Sequence, residues 1–128
     1  MASAILTVGC NERESAENIK ESAENIKKAS TARQDMTEFS AILEQYKNIG
    51  GVYPSTSQGL EAFLKKPTDS PRPRRWIQTL KDEEALLDPW DTKYKYQYPG
   101  SKDSSRPEIM SAGPDKQFGS EDDMSSQK

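Results

Sequence analysis

The chain has 128 residues, with 18 Lys and Arg against 21 Asp and Glu, a net charge of -3 and a mean hydropathy of -0.97. With no His and one Cys, it cannot build a Ser-His-Asp triad, a His-ligated metal centre, an intramolecular disulfide or a Cys-based zinc site. The acidic balance disfavours general nucleic-acid binding, and the seven scattered Gly form no phosphate-binding motif. Leu, Ile, Val and Phe together supply only 19 of the 128 residues, and every Trp and Tyr lies beyond position 45. A thin core in the C-terminal two-thirds, preceded by a polar arm, is therefore expected.

Residues 1–10 are small and apolar, and the chain turns polar at Asn11. The run 2–8 is too short to span a bilayer, which needs about 20 residues. It reads as the end of a signal peptide's apolar region, and Leu6-Thr-Val-Gly-Cys10 resembles a bacterial lipobox, which makes Cys10 a lipidation site and the membrane a partner through that anchor. A translation start upstream of Met1 is the expectation that goes with it. The other reading is a frayed N-terminus carrying a free thiol.

Glu14-Ser-Ala-Glu-Asn-Ile-Lys20 recurs unchanged over 21–27. Ala16, Ile19, Ala23 and Ile26 follow at helical spacing, and the stripe continues through Ala29, Ala32, Met36, Phe39, Leu43 and Tyr46. One helix over about 11–47 is predicted. Its first part (11–29) offers only Ala and Ile and is read as a solvated stalk or a partner-binding arm; the globular domain is placed at 30–128. Gly50, Gly51 and Pro54 stop the helix.

Ser55-Thr-Ser-Gln-Gly-Leu-Glu-Ala-Phe-Leu64 reads as a capped short helix, near 57–65, with Leu60, Phe63 and Leu64 on one face. Pro67 ends it, and a Pro- and Arg-rich loop leads to Trp76 and the turn Asp88-Pro-Trp-Asp91. Tyr94, Tyr96 and Tyr98 alternate with polar residues as a half-buried strand does, and a hairpin pairing 93–98 with 107–111 is predicted, its tyrosines stacked over Phe39, Leu43 and Tyr46.

From Ala112 to Asp123 the chain carries Asp115, Glu121, Asp122 and Asp123 in a loop with two Gly and a Pro. Calcium takes six to eight oxygen ligands, mixing carboxylates with carbonyls, and a Gly-bearing loop lets both kinds converge. The EF-hand spacing is absent. On spacing alone, a solvated acidic loop and a calcium loop both stay open.

Tyr46-Lys, Gly51-Val-Tyr-Pro54, Ser57-Gln-Gly-Leu-Glu-Ala62, Lys66-Pro-Thr68, Trp76, Asp88-Pro-Trp90, Tyr94-Lys-Tyr96 and Ser111-Ala-Gly-Pro-Asp115 follow in order over roughly 30–123. That succession resembles the G-type major pseudopilins of type II secretion. The resemblance implies an α+β, pilin-like fold: a long N-terminal helix packed on a small antiparallel sheet, with a C-terminal calcium loop. Where that family usually has Gly after the Trp, this chain has Asp91. Matched to the family's loop, the calcium ligands are the carbonyls of Ala112 and Gln117 and the side chains of Asp115, Asp122 and Asp123, with Ser120 or Glu121 as a sixth. Calcium would be structural, fixing a polar loop that has no core of its own.

The function implied is a non-enzymatic, extracytoplasmic structural protein of the type II secretion system, periplasmic or lipid-anchored, with other pseudopilins or secretion components as partners and neither nucleic acid nor a small-molecule substrate. The alternative is a lipid-anchored binding module that uses the same domain apart from any secretion filament. A carboxylate-pair glycosidase would need a cleft with two opposed acids, which a domain this small can hardly frame.

Overall fold

The computed structural model describes residues 2–127, with side chains described for Lys20 and for 22–127. Helix α1 spans Ala2–Gly50, longer at both ends than the predicted 11–47. Positions 10–49 contain no Gly or Pro, so nothing interrupts the hydrogen-bond ladder there. The stripe divides as its composition demands. Ala32, Met36, Phe39, Leu43 and Tyr46 are buried, whereas Ile26 in the second repeat is 71% exposed. Cys10, the expected lipidation site, lies outside the residues whose side chains are described.

The helix ends where Gly51 adopts φ +88° and its N–H donates to the Lys47 carbonyl at 2.6 Å. Gly50 is needed for a different reason. A Cβ there would stand 2.6 Å from the Pro73 Cβ, because the Pro- and Arg-rich loop lies against the helix end and Arg74 N–H donates to the Gly50 carbonyl at 2.9 Å.

Beyond Pro54, Ser55 and Gln58 close a reciprocal box: Gln58 N–H donates to Ser55 Oγ at 3.1 Å, and Ser55 N–H to Gln58 Oε1 at 3.0 Å. The short helix that follows is a 3-10 helix, Gly59–Phe63, which buries Leu60, Ala62 and Phe63. The Trp76 indole N–H donates to the Ala62 carbonyl at 2.6 Å and pins the following loop to it. A second 3-10 turn, Glu83–Leu86, was not foreseen; it inserts Leu86, fully buried, into the core.

The predicted hairpin is present with shorter strands. β1 (Lys95–Gln97) pairs antiparallel with β2 (Glu108–Ser111) in the register Tyr96 to Ile109, and β3 (Met124–Ser125) pairs with the far side of β2. The sheet order is β1-β2-β3, and α1 packs across it. Tyr94 and Tyr96 are buried and Tyr98 partly so, as the alternation required. Phe39 of α1 meets Tyr94 edge-on with ring centroids 5.3 Å apart, and Tyr53 meets Tyr98 at 5.1 Å. Buried hydroxyls of this aromatic layer call for acceptors, and three of the four find one; the buried Tyr46 hydroxyl has no partner among the described residues. Tyr94 donates to Asp35 at 2.8 Å, Tyr96 to the Pro54 carbonyl at 2.8 Å and Tyr53 to Glu44 at 2.6 Å.

Candidate functional site

The 112–123 loop leaves the end of β2 and returns to the start of β3. Its two ends touch. Gly113, at φ +77°, lies so close to the Asp122 carbonyl that a Cβ would stand 2.4 Å from that oxygen. Inside the loop, Lys116 N–H donates to the Gly113 carbonyl at 3.1 Å, and Asp115 accepts the Gln117 N–H at 3.0 Å. Asp123 accepts the Gly119 N–H at 2.7 Å. Ser120 stands in the middle: its hydroxyl lies 3.2 Å from the Gln117 carbonyl and 3.4 Å from Asp123 Oδ1. Hydrogen bonding by Ser120 and then by the Gln117 N–H holds the Asp115 carboxyl below the usual carboxylate range.

Of the residues matched to calcium ligands, Ala112 is buried, Asp115, Gln117 and Asp122 are exposed, and Asp123 is half-buried. Ser120 links the Gln117 carbonyl to Asp123. The carboxylates of Asp115, Asp122 and Asp123 are not gathered into one cluster: among the described residues, no three acidic side chains stand at metal-holding distance. The candidate donors are oxygen throughout, the ligand type that a hard cation takes.

Two supporting groups were not singled out from the sequence. Asp88, 3% exposed, accepts the N–H groups of Trp90 at 3.0 Å and Thr92 at 2.9 Å on Oδ1, while its Oδ2 accepts the Ser111 hydroxyl at 2.7 Å. The Asp-Pro-Trp turn signal was readable; the long-range partner was not. Asp91 sits in this turn at φ +63°, where Asp is among the few L-residues tolerated. Glu108, 2% exposed, accepts from Ser101 N–H at 2.9 Å and from the hydroxyls of Ser101 and Ser125 at 2.5 Å each. Burial raises its pKa, but the hydrogen bonds from Ser101 and Ser125 outweigh it and hold the carboxyl below its ordinary value.

An open groove of about 510 Å³ runs between α1 and β3, lined by Arg33, Ser40, Arg106 and Met124 among others, with no carboxylate in its wall.

Residues 18–127 match the family described as type II secretion system (T2SS), protein G. The chain is 39% identical over 97 residues to a type II secretion system core protein G of Pseudomonas aeruginosa, covering 75% of this chain and 67% of that protein. To the core protein G of Vibrio cholerae it is 37% identical over 87 residues, covering 68% and 58%. The chain thus spans roughly three-fifths of the length of its curated relatives. The crystal structure of the major pseudopilin from the type 2 secretion system of enterohaemorrhagic Escherichia coli superposes with a TM-score of 0.71 at 30% identity, over 81% of this chain and 86% of that one. With its long helix laid across a three-stranded antiparallel sheet, this chain belongs to the protein G family of the type II secretion system.

Proposed function

We propose that the chain is a non-enzymatic structural subunit of a type II secretion apparatus, located in the bacterial envelope and acting through contacts with other secretion components. The observation that carries this reading is the family match over 18–127, which takes in the helix, the sheet and the acidic loop together. The relatives are named as core proteins and a major pseudopilin.

In this reading the C-terminal loop is fixed by a structural calcium ion. The ligands are the carbonyls of Ala112 and Gln117 and the carboxylates of Asp115, Asp122 and Asp123, with Ser120 or Glu121 completing the set. The ion would supply neutralisation of carboxylates that otherwise repel one another. The chain contributes the close approach of Gly113 to Asp122, which brings the two ends of the loop within reach. Acylation of Cys10 belongs to the same envelope location, and the intact mass of protein extracted from membranes tests it. No structural observation favours the alternative of an isolated lipid-anchored binding module.

The test of function is association. The purified chain, mixed with the other pseudopilins of the same genome, should enter a complex detectable by crosslinking. Lack of any such complex, together with normal secretion after deletion of the gene, would refute the proposal.

A further inference from the structure

The groove between α1 and β3 carries more positive charge than its own carboxylates balance. Arg33 and Arg106, both exposed, line it, and among the described residues neither makes an ion pair. Arg33 has no acid one helical turn away, since its neighbours there are Ala29, Ser30, Met36 and Thr37. The hydroxyls of the wall divide into two kinds. Thr37 donates to the Arg33 carbonyl at 3.0 Å, Ser40 to the Met36 carbonyl at 2.9 Å and Ser125 to Glu108 at 2.5 Å. Ser126 Oγ instead accepts the Ile109 N–H at 2.9 Å, and its proton has no acceptor among the described residues. An adjoining hollow shares Ser40, Arg106 and Ser126 and brings one carboxylate, Asp103, already held by the Ser105 N–H and hydroxyl.

The same groove opens on the edge of the sheet, where β3 pairs with β2 on one side only. Ser126 N–H donates to the Ile109 carbonyl at 2.9 Å, which makes 109 and 126 the hydrogen-bonded pair. In an antiparallel ladder the next pair, Met110 and Ser125, then turns its main-chain groups away from each other. Ser125 thus presents its N–H and C=O outward, at an edge to which a further strand can add. Met36 and Met124 supply the apolar part of the wall, with flexible thioethers that adapt to what is laid on them.

We propose that this groove binds an extended acidic segment of a partner protein. The segment's main chain pairs with Ser125. Its carboxylates meet Arg33 and Arg106, whose planar forks suit carboxylate oxygens. From Arg33 to Ser40 the helix rises about 10 Å, the length of about three extended residues. Acidic residues at alternate positions of the segment share one face, because strand side chains alternate. The envelope role proposed above does not depend on this contact, since complex formation there is read by crosslinking.

The test is an NMR titration of the full chain with an end-blocked peptide of alternating Glu and Val. The Ser125 amide and the side-chain N–H signals of Arg33 and Arg106 should shift together at millimolar peptide, and less at high salt. Arg33→Gln and Arg106→Gln should each weaken binding about tenfold, the share of one charge-assisted hydrogen bond. Methylating the peptide's main-chain nitrogens should weaken it as well. The chain carrying both Arg33→Glu and Arg106→Glu should instead prefer a peptide of alternating Lys and Val. If the acidic peptide leaves these signals unmoved, or the Lys peptide binds wild type equally well, the proposal is overturned. A methylated peptide that binds as tightly as its parent overturns the strand addition. The same shifts on concentrating the chain alone would make the occupant a second copy, and equal shifts with inorganic phosphate would leave a simple anion site. Either result overturns the partner reading. Should an arginine variant fail to fold, the peptide series on wild type decides the matter.

Discussion

The Trp90 indole N–H donates to the Asn25 side-chain oxygen at 3.1 Å across 65 positions of sequence, joining the second heptad to the Asp-Pro-Trp turn. The apolar stripe of that heptad faces solvent, with Ala23 and Ile26 exposed, yet the half-buried Asn25 reaches the domain. The contact is polar, so hydrophobic patterning could not reveal it.

Asn25→Ala should therefore lower the stability of the domain. An indole N–H left without its partner costs about 1 kcal/mol, and more where water cannot replace the bond. For a domain near 100 residues that is a fall of roughly 4–8 °C in Tm. An unchanged Tm, with unchanged Trp fluorescence, would mean that the contact contributes nothing in solution.

Calcium at millimolar concentration should raise the Tm. Binding to the folded state alone adds about 2.7 kcal/mol at a hundredfold excess over Kd. Asp115→Ala should abolish the rise. Magnesium should act much more weakly, since it demands a tight octahedron. Superimposable melts in calcium and EGTA would leave the loop merely solvated.

Gly113→Ala should destabilise the loop strongly. The new Cβ would have to enter space held by the Asp122 carbonyl, at a φ of +77°. A residue forced into such a backbone region costs of order 1–3 kcal/mol, before the clash is relieved. Opening the junction between 113 and 122 should also remove most of any calcium-induced rise in Tm. A variant as stable and as calcium-responsive as wild type would show that the two ends of the loop need not touch.

Glu108 should make the fold acid-sensitive. Its folded-state pKa lies below the ordinary value, so its carboxylate contributes stability that is fully present above the unfolded pKa, about 4.3. That contribution is lost as pH falls through the lower, folded-state value. Wild type should lose stability below about pH 4.3 more steeply than Glu108→Gln. At neutral pH the variant should already be weaker by about 1–3 kcal/mol, because an amide nitrogen then faces a donor hydroxyl inside the protein. Parallel pH profiles for the two proteins would remove Glu108 from the acid response.

Phe39→Ala should come close to unfolding the domain. Phe39 is 4% exposed and touches Phe63 and Tyr94 in the aromatic layer. Truncating a buried Phe costs about 3–5 kcal/mol, against a total of about 5–15 for a typical domain. Denaturant melts would show the midpoint falling without a change in slope.

Patterns of local period were readable from the chain alone. The stripe from Ala32 to Tyr46 is buried as its spacing required, Gly50 and Gly51 stop the helix, and Tyr94 and Tyr96 turn inward beside a two-stranded pairing. Each of these follows from residues within one or two turns of each other, where helix and strand geometry dictate which side chains share a face. Only the tertiary structure decided the rest. β3 is two residues long, and its Met and Ser carry no strand pattern; it exists because β2 offers it an edge. Asp88 and Ser111 read in sequence only as members of a turn and of recurring motifs, and Glu108 and Asn25 as ordinary polar residues. Three of them are buried, and each is satisfied by a partner at least seven positions away. Burial turns a polar group from indifferent to costly unless that partner is met, and only the closed fold determines which distant group meets it.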